Sequence, residues 1–124
     1  MTEIPDLKVT PDRYLTYRYA GASGDFNPIH IDEEFATSVG LPGRILHGLW
    51  TMSQVARAVS QAGELKRLEV QFRGMGFPEQ EITVTSTVKD VAERGGLQFF
   101  VFESRSTNQD GETVCTGTWT NIVR

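Results

Sequence analysis

The spacing of apolar and polar positions changes character at about Gly63, from helical signals before it to alternation of period two after it. From Leu65 onward, Leu68, Val70 and Phe72 alternate with polar residues. Ile82 and Val84 follow with threonines between them, then Leu97, Phe99 and Val101. Alternation places every second side chain on one face of an extended backbone, so these stretches predict strands with one buried face. Gly95-Gly96 and Asn108-Gln109-Asp110-Gly111 supply turn residues between successive strands, and Gly74, Gly76 and Pro78 mark a looser connection. A last strand is expected from about Glu112 to Val123, which makes the strand-rich half an antiparallel array.

Before Gly63 the signals differ. Leu7 to Thr10 suits a short first strand, and Asp12 is placed to cap a helix over Arg13 to Tyr19. Gly21, Gly24, Asn27 and Pro28 break regular structure, so Ala20 to His30 is predicted to be a loop. Asp32, Glu33 and Glu34 open another short helix with charges suited to a helix N-terminus, and Gly40 and Pro42 close it. Gly48 to Ala62 carries Leu49, Trp50, Met52, Val55, Ala56, Ala58, Val59 and Ala62, more apolar positions than one stripe needs. That pattern predicts a helix buried nearly all round, with Gly63 as its stop. A strand, a buried helix and four antiparallel strands describe an α+β unit, a sheet of about five strands wrapped around one central helix, in a single domain over 1–124.

Composition narrows what such a unit does. An apolar share of 39% leaves sheet and helix surface partly uncovered in a chain of 124 residues, which favours an oligomer. Twelve basic residues against 16 acidic ones give a net charge of -4, and no basic run is present to follow a phosphate backbone, so nucleic acid is not an expected partner. No apolar stretch approaches the roughly 20 residues that a membrane-spanning helix requires. The acidic N-terminus is unlike a secretory signal, and the lone Cys115 accords with a reducing compartment, so a cytoplasmic location is expected.

The strongest chemical signal lies between Tyr19 and His30. A carboxylate, Asp25, and an imidazole, His30, stand five positions apart on a segment that Gly24 lets turn sharply and Pro28 stiffens. A histidine titrates near neutrality, and a neighbouring carboxylate fixes its tautomer, so such a pair can activate a water and deliver a proton. Taken singly, Asp25 is also a common turn carboxylate and His30 a common polar helix start. Asn27 fits a brace that bonds the loop backbone better than a substrate contact. His47 fits equally a structural residue before a helix or a neighbour of the bound ligand. Trp50, Met52, Phe72 and Trp119 are most economically core or interface residues. The two histidines, 17 positions apart without a nearby cysteine, do not have metal-ligand spacing.

The run Gly24-Asp25-Phe26-Asn27-Pro28-Ile29-His30, followed by Ala36, resembles the signature of the MaoC-like, or hydratase 2, family of R-specific enoyl-thioester hydratases. Leu46-His47-Gly48-Leu49-Trp50-Thr51-Met52 resembles the start of that family's central helix, so the likeness covers nearly the whole chain. The resemblance implies a hotdog fold and reversible hydration of trans-2-enoyl thioesters, carried on coenzyme A or an acyl carrier protein, to R-3-hydroxyacyl thioesters. It implies Asp25 and His30 as the catalytic pair, with Gly48 giving its backbone N–H to the thioester carbonyl oxygen. His47 and Asn27 stand close to these residues in the chain and are kept as candidate substrate-binding residues on position alone. Gly48 also suits that role physically, since it opens the predicted buried helix, where unpaired N–H groups favour negative charge. No metal or redox cofactor is expected, and the partner is a second hotdog subunit in a homodimer or heterodimer. In one respect the chain departs from the family: Ala56 stands where some members carry a serine that supports the pair. Two other readings remain: a subunit that mainly shapes the acyl tunnel for an active partner, and a hotdog thioesterase. The second requires a carboxylate on the central helix, and none occurs between Gly48 and Gly63.

Overall fold

A computed structural model describes residues 4–123. The elements are β1 (Leu7–Val9), α1 (Leu15–Ser23), α2 (Pro28–Ile31), α3 (Glu33–Ser38), α4 (Gly48–Val59) with a closing 3-10 turn (Ser60–Ala62), β2 (Glu64–Phe72), β3 (Ile82–Arg94), β4 (Leu97–Thr107) and β5 (Thr113–Val123). The strands form one antiparallel sheet in the order β1-β3-β4-β5-β2. This is the α+β arrangement expected from the alternation.

Turn chemistry explains the meander. Gly95 and Gly96 hold φ values of 57° and 79°, the left-handed pair that a tight two-residue hairpin needs, so Arg94 pairs with Leu97 and the register runs back along β3 and β4. At the next turn the Asn108 side chain accepts from the Asp110 and Glu112 amides, which closes β4 onto β5. β2 follows α4 in the chain but lies at the far edge against β5, and the looser 73–81 segment carries the chain across to β3. Leu46 N–H to the Gly76 carbonyl, at 2.9 Å, ties that crossing to the segment before α4.

α4 lies on one face of the sheet. Val55, Ala58 and Val59 pack with Val84, Phe100, Phe102, Cys115 and Trp119, and Leu46 and Trp50 form a second cluster with Ile82 and Val114. Full burial of side chains such as Phe102 contributes about 1.5–3 kcal/mol each. The helix is not buried all round, as its composition had predicted. Leu49, Ser53, Arg57 and Ser60 form an exposed stripe along it, because one sheet covers only one side of a helix in a single chain. The α-helix also ends at Val59, before the expected Ala62. There the buried Asn121 side chain on β5 donates to the Val59 carbonyl at 2.9 Å, satisfying an acceptor that the shift to 3-10 geometry leaves open.

The predicted loop from Ala20 to His30 is shorter than its glycines suggested. α1 continues to Ser23, because the fully buried Ala20 anchors its last turn and Gly24, at φ 80°, ends it in the left-handed conformation. Pro28 at the first helical position and Asn27 as cap then start α2, so His30 sits on a one-turn helix and only Gly24 to Asn27 is irregular. α1 begins at Leu15, two residues later than expected from Asp12, although the Asp12 carboxylate accepts from the Tyr14 amide at 2.8 Å. Asp32 caps α3 through the Phe35 amide as its sequence position implied. Among the described residues no helix is long and apolar enough to cross a membrane.

Candidate active site

Local capping chemistry positions Asp25. Its amide donates to Ser23 Oγ at 3.2 Å, its Oδ1 accepts from the Asn27 amide at 3.2 Å, and Asn27 Oδ1 in turn accepts from the Ile29 amide. The second carboxylate oxygen, Oδ2, is left to face His30, with His30 Nε2 at 3.8 Å. Asn27 therefore braces the loop, the reading its residue type favoured, and among the described residues its side chain bonds the Ile29 amide alone.

His30 is 7% exposed, whereas Asp25 is largely open to solvent, so the pair stands at the edge of a buried site. His30 Nδ1 lies 2.8 Å from the Ile45 carbonyl. A carbonyl only accepts, so Nδ1 carries the hydrogen, and in the neutral ring the lone pair is on Nε2, the nitrogen turned toward Asp25. The segment supplying that carbonyl is itself held by the Ile45 amide donating to Ile29 at 3.1 Å. No hydroxyl is available at Ala56, and the Ile45 backbone supports the imidazole in this chain. A sequence gives no sign of such support, because a backbone carbonyl is the same in every residue.

His47 completes the cluster. Its ring stacks on His30 with centroids 3.9 Å apart and planes inclined by 22°, and its Nε2 is 3.0 Å from the Asp25 carbonyl. Tyr19 tilts against its other side at 4.8 Å. Gly48, next in the chain, is the first residue of α4, where an amide N–H has no acceptor within the helix. A Cβ there would meet the Phe72 ring at 3.2 Å, so glycine lets the aromatic ring lie over the start of the helix. Phe72, expected in core or interface, is 53% exposed in the single chain. Trp50 and Trp119 are buried as expected.

Ligand atoms of Asp25, His30 and His47 lie within 4.8 Å of one another. An ion binds an imidazole in the ring plane at about 2 Å from nitrogen. Two nearly parallel rings stacked face to face cannot both direct a lone pair at one such point, so the donor set does not fit a three-ligand metal centre. What the arrangement can do is hold a water between a carboxylate oxygen and an unprotonated imidazole nitrogen. A concavity of about 870 Å³ lies elsewhere, on the outer face of the sheet, lined by residues such as Arg73, Arg105 and Thr118.

Residues 2–109 match the model of the MaoC like domain. The chain belongs to the MaoC-like family. It is 37% identical over 90 residues to the enoyl-CoA hydratase ChsH3 of Mycobacterium tuberculosis, a match covering 64% of this chain and 30% of that protein. The chain spans less than a third of the length of the curated relatives it matches. Among solved structures, an (R)-hydratase from A. caviae involved in PHA biosynthesis superposes with a TM-score of 0.84 at 22% identity, over 96% of this chain and 92% of that one. A chain of the ChsH1-ChsH2 complex from Mycobacterium tuberculosis gives a TM-score of 0.83 at 22% identity, over 100% of this chain and 98% of that one. These likenesses identify the fold as the hotdog, with α4 as its central helix.

Proposed function

We propose that this MaoC-like chain catalyses reversible addition of water to trans-2-enoyl thioesters of coenzyme A or an acyl carrier protein, giving R-3-hydroxyacyl thioesters. The observation that carries this reading is the fixed pairing of His30 Nε2 with Asp25 Oδ2 at 3.8 Å, its tautomer set by the Ile45 carbonyl. The Asp25 carboxylate accepts a hydrogen bond from a water, and His30 Nε2 takes a proton from it as its oxygen bonds to the β-carbon. The electron pair of the double bond moves toward the thioester carbonyl, whose oxygen rests on the Gly48 N–H. The proton then returns to the α-carbon, so the water supplies both added groups and the enzyme is regenerated.

Loss of an amide of the Gly48 kind typically costs about 10²–10³ in rate. A positioned acid–base pair contributes roughly 10²–10⁴. Hydrolysis is the weaker reading, because α4 carries no Asp or Glu to serve as the helix-borne carboxylate of a thioesterase. The stereochemistry rests on likeness to an (R)-hydratase, and the thioester class on likeness to an enoyl-CoA hydratase.

A second hotdog subunit is the proposed partner. The exposed Leu49 of α4 and the half-open Phe72 leave apolar surface beside the site. A chain of similar fold occurs in the ChsH1-ChsH2 complex, which supports a heterodimer beside the homodimer as the assembly to test. The decisive assay follows loss of the enoyl absorbance of crotonyl-CoA with the chain purified alone. Asp25→Asn and His30→Ala are each expected to lower the rate by about 10²–10⁴ with circular dichroism unchanged. Full activity in either variant removes the mechanism. Activity that appears only with a second subunit makes this chain the catalytic half of a heterodimer.

A further inference from the structure

Two histidine rings lie at the centre of the site, and the reaction as written uses one. His47 is 2% exposed, and its side chain makes no capping bond to α4, the helix it precedes. Among the described residues, the one polar contact of that side chain reaches back across the site to the Asp25 carbonyl. That carbonyl only accepts, so His47 Nε2 carries a hydrogen. His30, by the same reasoning, carries its hydrogen on Nδ1. Two acceptor-only carbonyls thus fix the two rings in opposite tautomers.

The stack adds a constraint. Rings 3.9 Å apart cannot both hold a positive charge without strong repulsion across a buried gap. The ring that gains a proton in the reaction is His30, since its Nε2 faces the water site and Asp25. His47 then presents an uncharged aromatic face to the cation. Tyr19 on its far side, Asp25 and His30 are the titratable groups it meets, and Tyr19 keeps the ring from swinging out.

We propose that His47 is a positioning residue for the hydration reaction: its Nε2–H fixes the backbone of Asp25 while its ring face holds the His30 imidazole. One side chain thereby joins both halves of the acid–base pair and delivers them beside Gly48, the next residue in the chain. The proposal rests on the hydratase reading of the site and goes further in assigning how the pair is aligned.

Two substitutions separate the functions of the ring. His47→Phe keeps an aromatic face and loses the donor, whereas His47→Gln keeps an N–H at similar reach and loses the face. In the 124-residue chain, His47→Phe is expected to lower kcat on crotonyl-CoA by about 10²-fold, the order of loss that a misplacement near 1 Å produces, with KM little changed. His47→Gln is expected to recover part of that loss. A filler role predicts wild-type kcat in His47→Phe, and that result overturns the proposal.

A measurement on the unmodified protein guards against variants that fail to fold. The chain has 2 histidines, so long-range proton–nitrogen NMR resolves both rings without ambiguity of number. The expected spectrum has hydrogen on Nε2 of His47 and Nδ1 of His30, and hydrogen on Nδ1 of a neutral His47 overturns the bond to Asp25. If the wild-type chain, alone and with any second subunit, fails to hydrate enoyl thioesters, the hydratase reading falls. The NMR arm then decides the His47–Asp25 link on its own.

Discussion

Glu79 carries the one non-glycine backbone among the described residues at positive φ, 67°, a conformation that crowds Cβ against the backbone. Its amide donates to the Pro11 carbonyl at 2.6 Å, which holds the looser 73–81 crossing against the segment after β1. The ion pair of Glu79 with Arg13 spans 3.8 Å between largely exposed side chains and contributes little. Relief of left-handed strain, about 1–2 kcal/mol, therefore outweighs the added chain entropy of glycine, about 0.5–1 kcal/mol. Glu79→Gly is expected to stabilise the protein by about 0.5–1 kcal/mol, read as a higher urea midpoint at unchanged slope. Burial pushes the Cys115 thiol up from its usual range, which keeps it protonated and poorly nucleophilic near neutrality. At this scale the approach of Asp25 to His30 was legible from their spacing and context. The Ile45 carbonyl was not, and neither was the bond from His47 to Asp25, because both depend on backbone atoms that no residue type announces.

At the scale of elements, alternation identified β2 and β3, whose Leu68, Val70 and Val84 face α4, and the double glycine located the β3–β4 hairpin. In β4 the alternation of Leu97, Phe99 and Val101 gave the strand but the wrong face, since Phe100 and Phe102 are the residues buried against α4, and β5 was placed by the turn before it. Element ends were less legible where packing overrode propensity. The Gly21 and Ser23 positions read as loop, yet burial of Ala20 carries α1 through them. The outer stripe of α4 was misjudged for a related reason. Leu49 alone on that face is apolar and exposed, and the other apolar residues of the helix were counted without regard to the side they occupy. The C-terminal end of α4 offers a test of what joins it to the sheet. Asn121→Leu leaves the buried Val59 carbonyl without its donor, a loss of order 1–3 kcal/mol. It also removes Asn121 Oδ1, which is buried without a protein partner, so the net destabilisation is expected near 1 kcal/mol and is measured by urea denaturation.

For the whole molecule, the sheet order β1-β3-β4-β5-β2 was only partly legible. Tight turns gave the β3, β4, β5 meander, but nothing local specifies that β2 crosses to the far edge or that Leu7 meets Val84. Those pairings come from covering α4, a global condition. The same order governs how the molecule arises. Hairpins closed by Gly95-Gly96 and by Asn108 form from neighbouring residues, whereas β1 must find a strand more than half the chain away, and each lengthening of such a loop adds an entropic cost. Asp25 and His30 lie in that early-sequence region, so catalytic competence is expected to return late. In refolding from urea, the far-ultraviolet signal of the strands should recover ahead of crotonyl-CoA hydration, and simultaneous recovery would count against this order. On the ribosome, Asp25 and His30 thus emerge ahead of β2 to β5, and the proposed site has to wait for those strands before it can take shape.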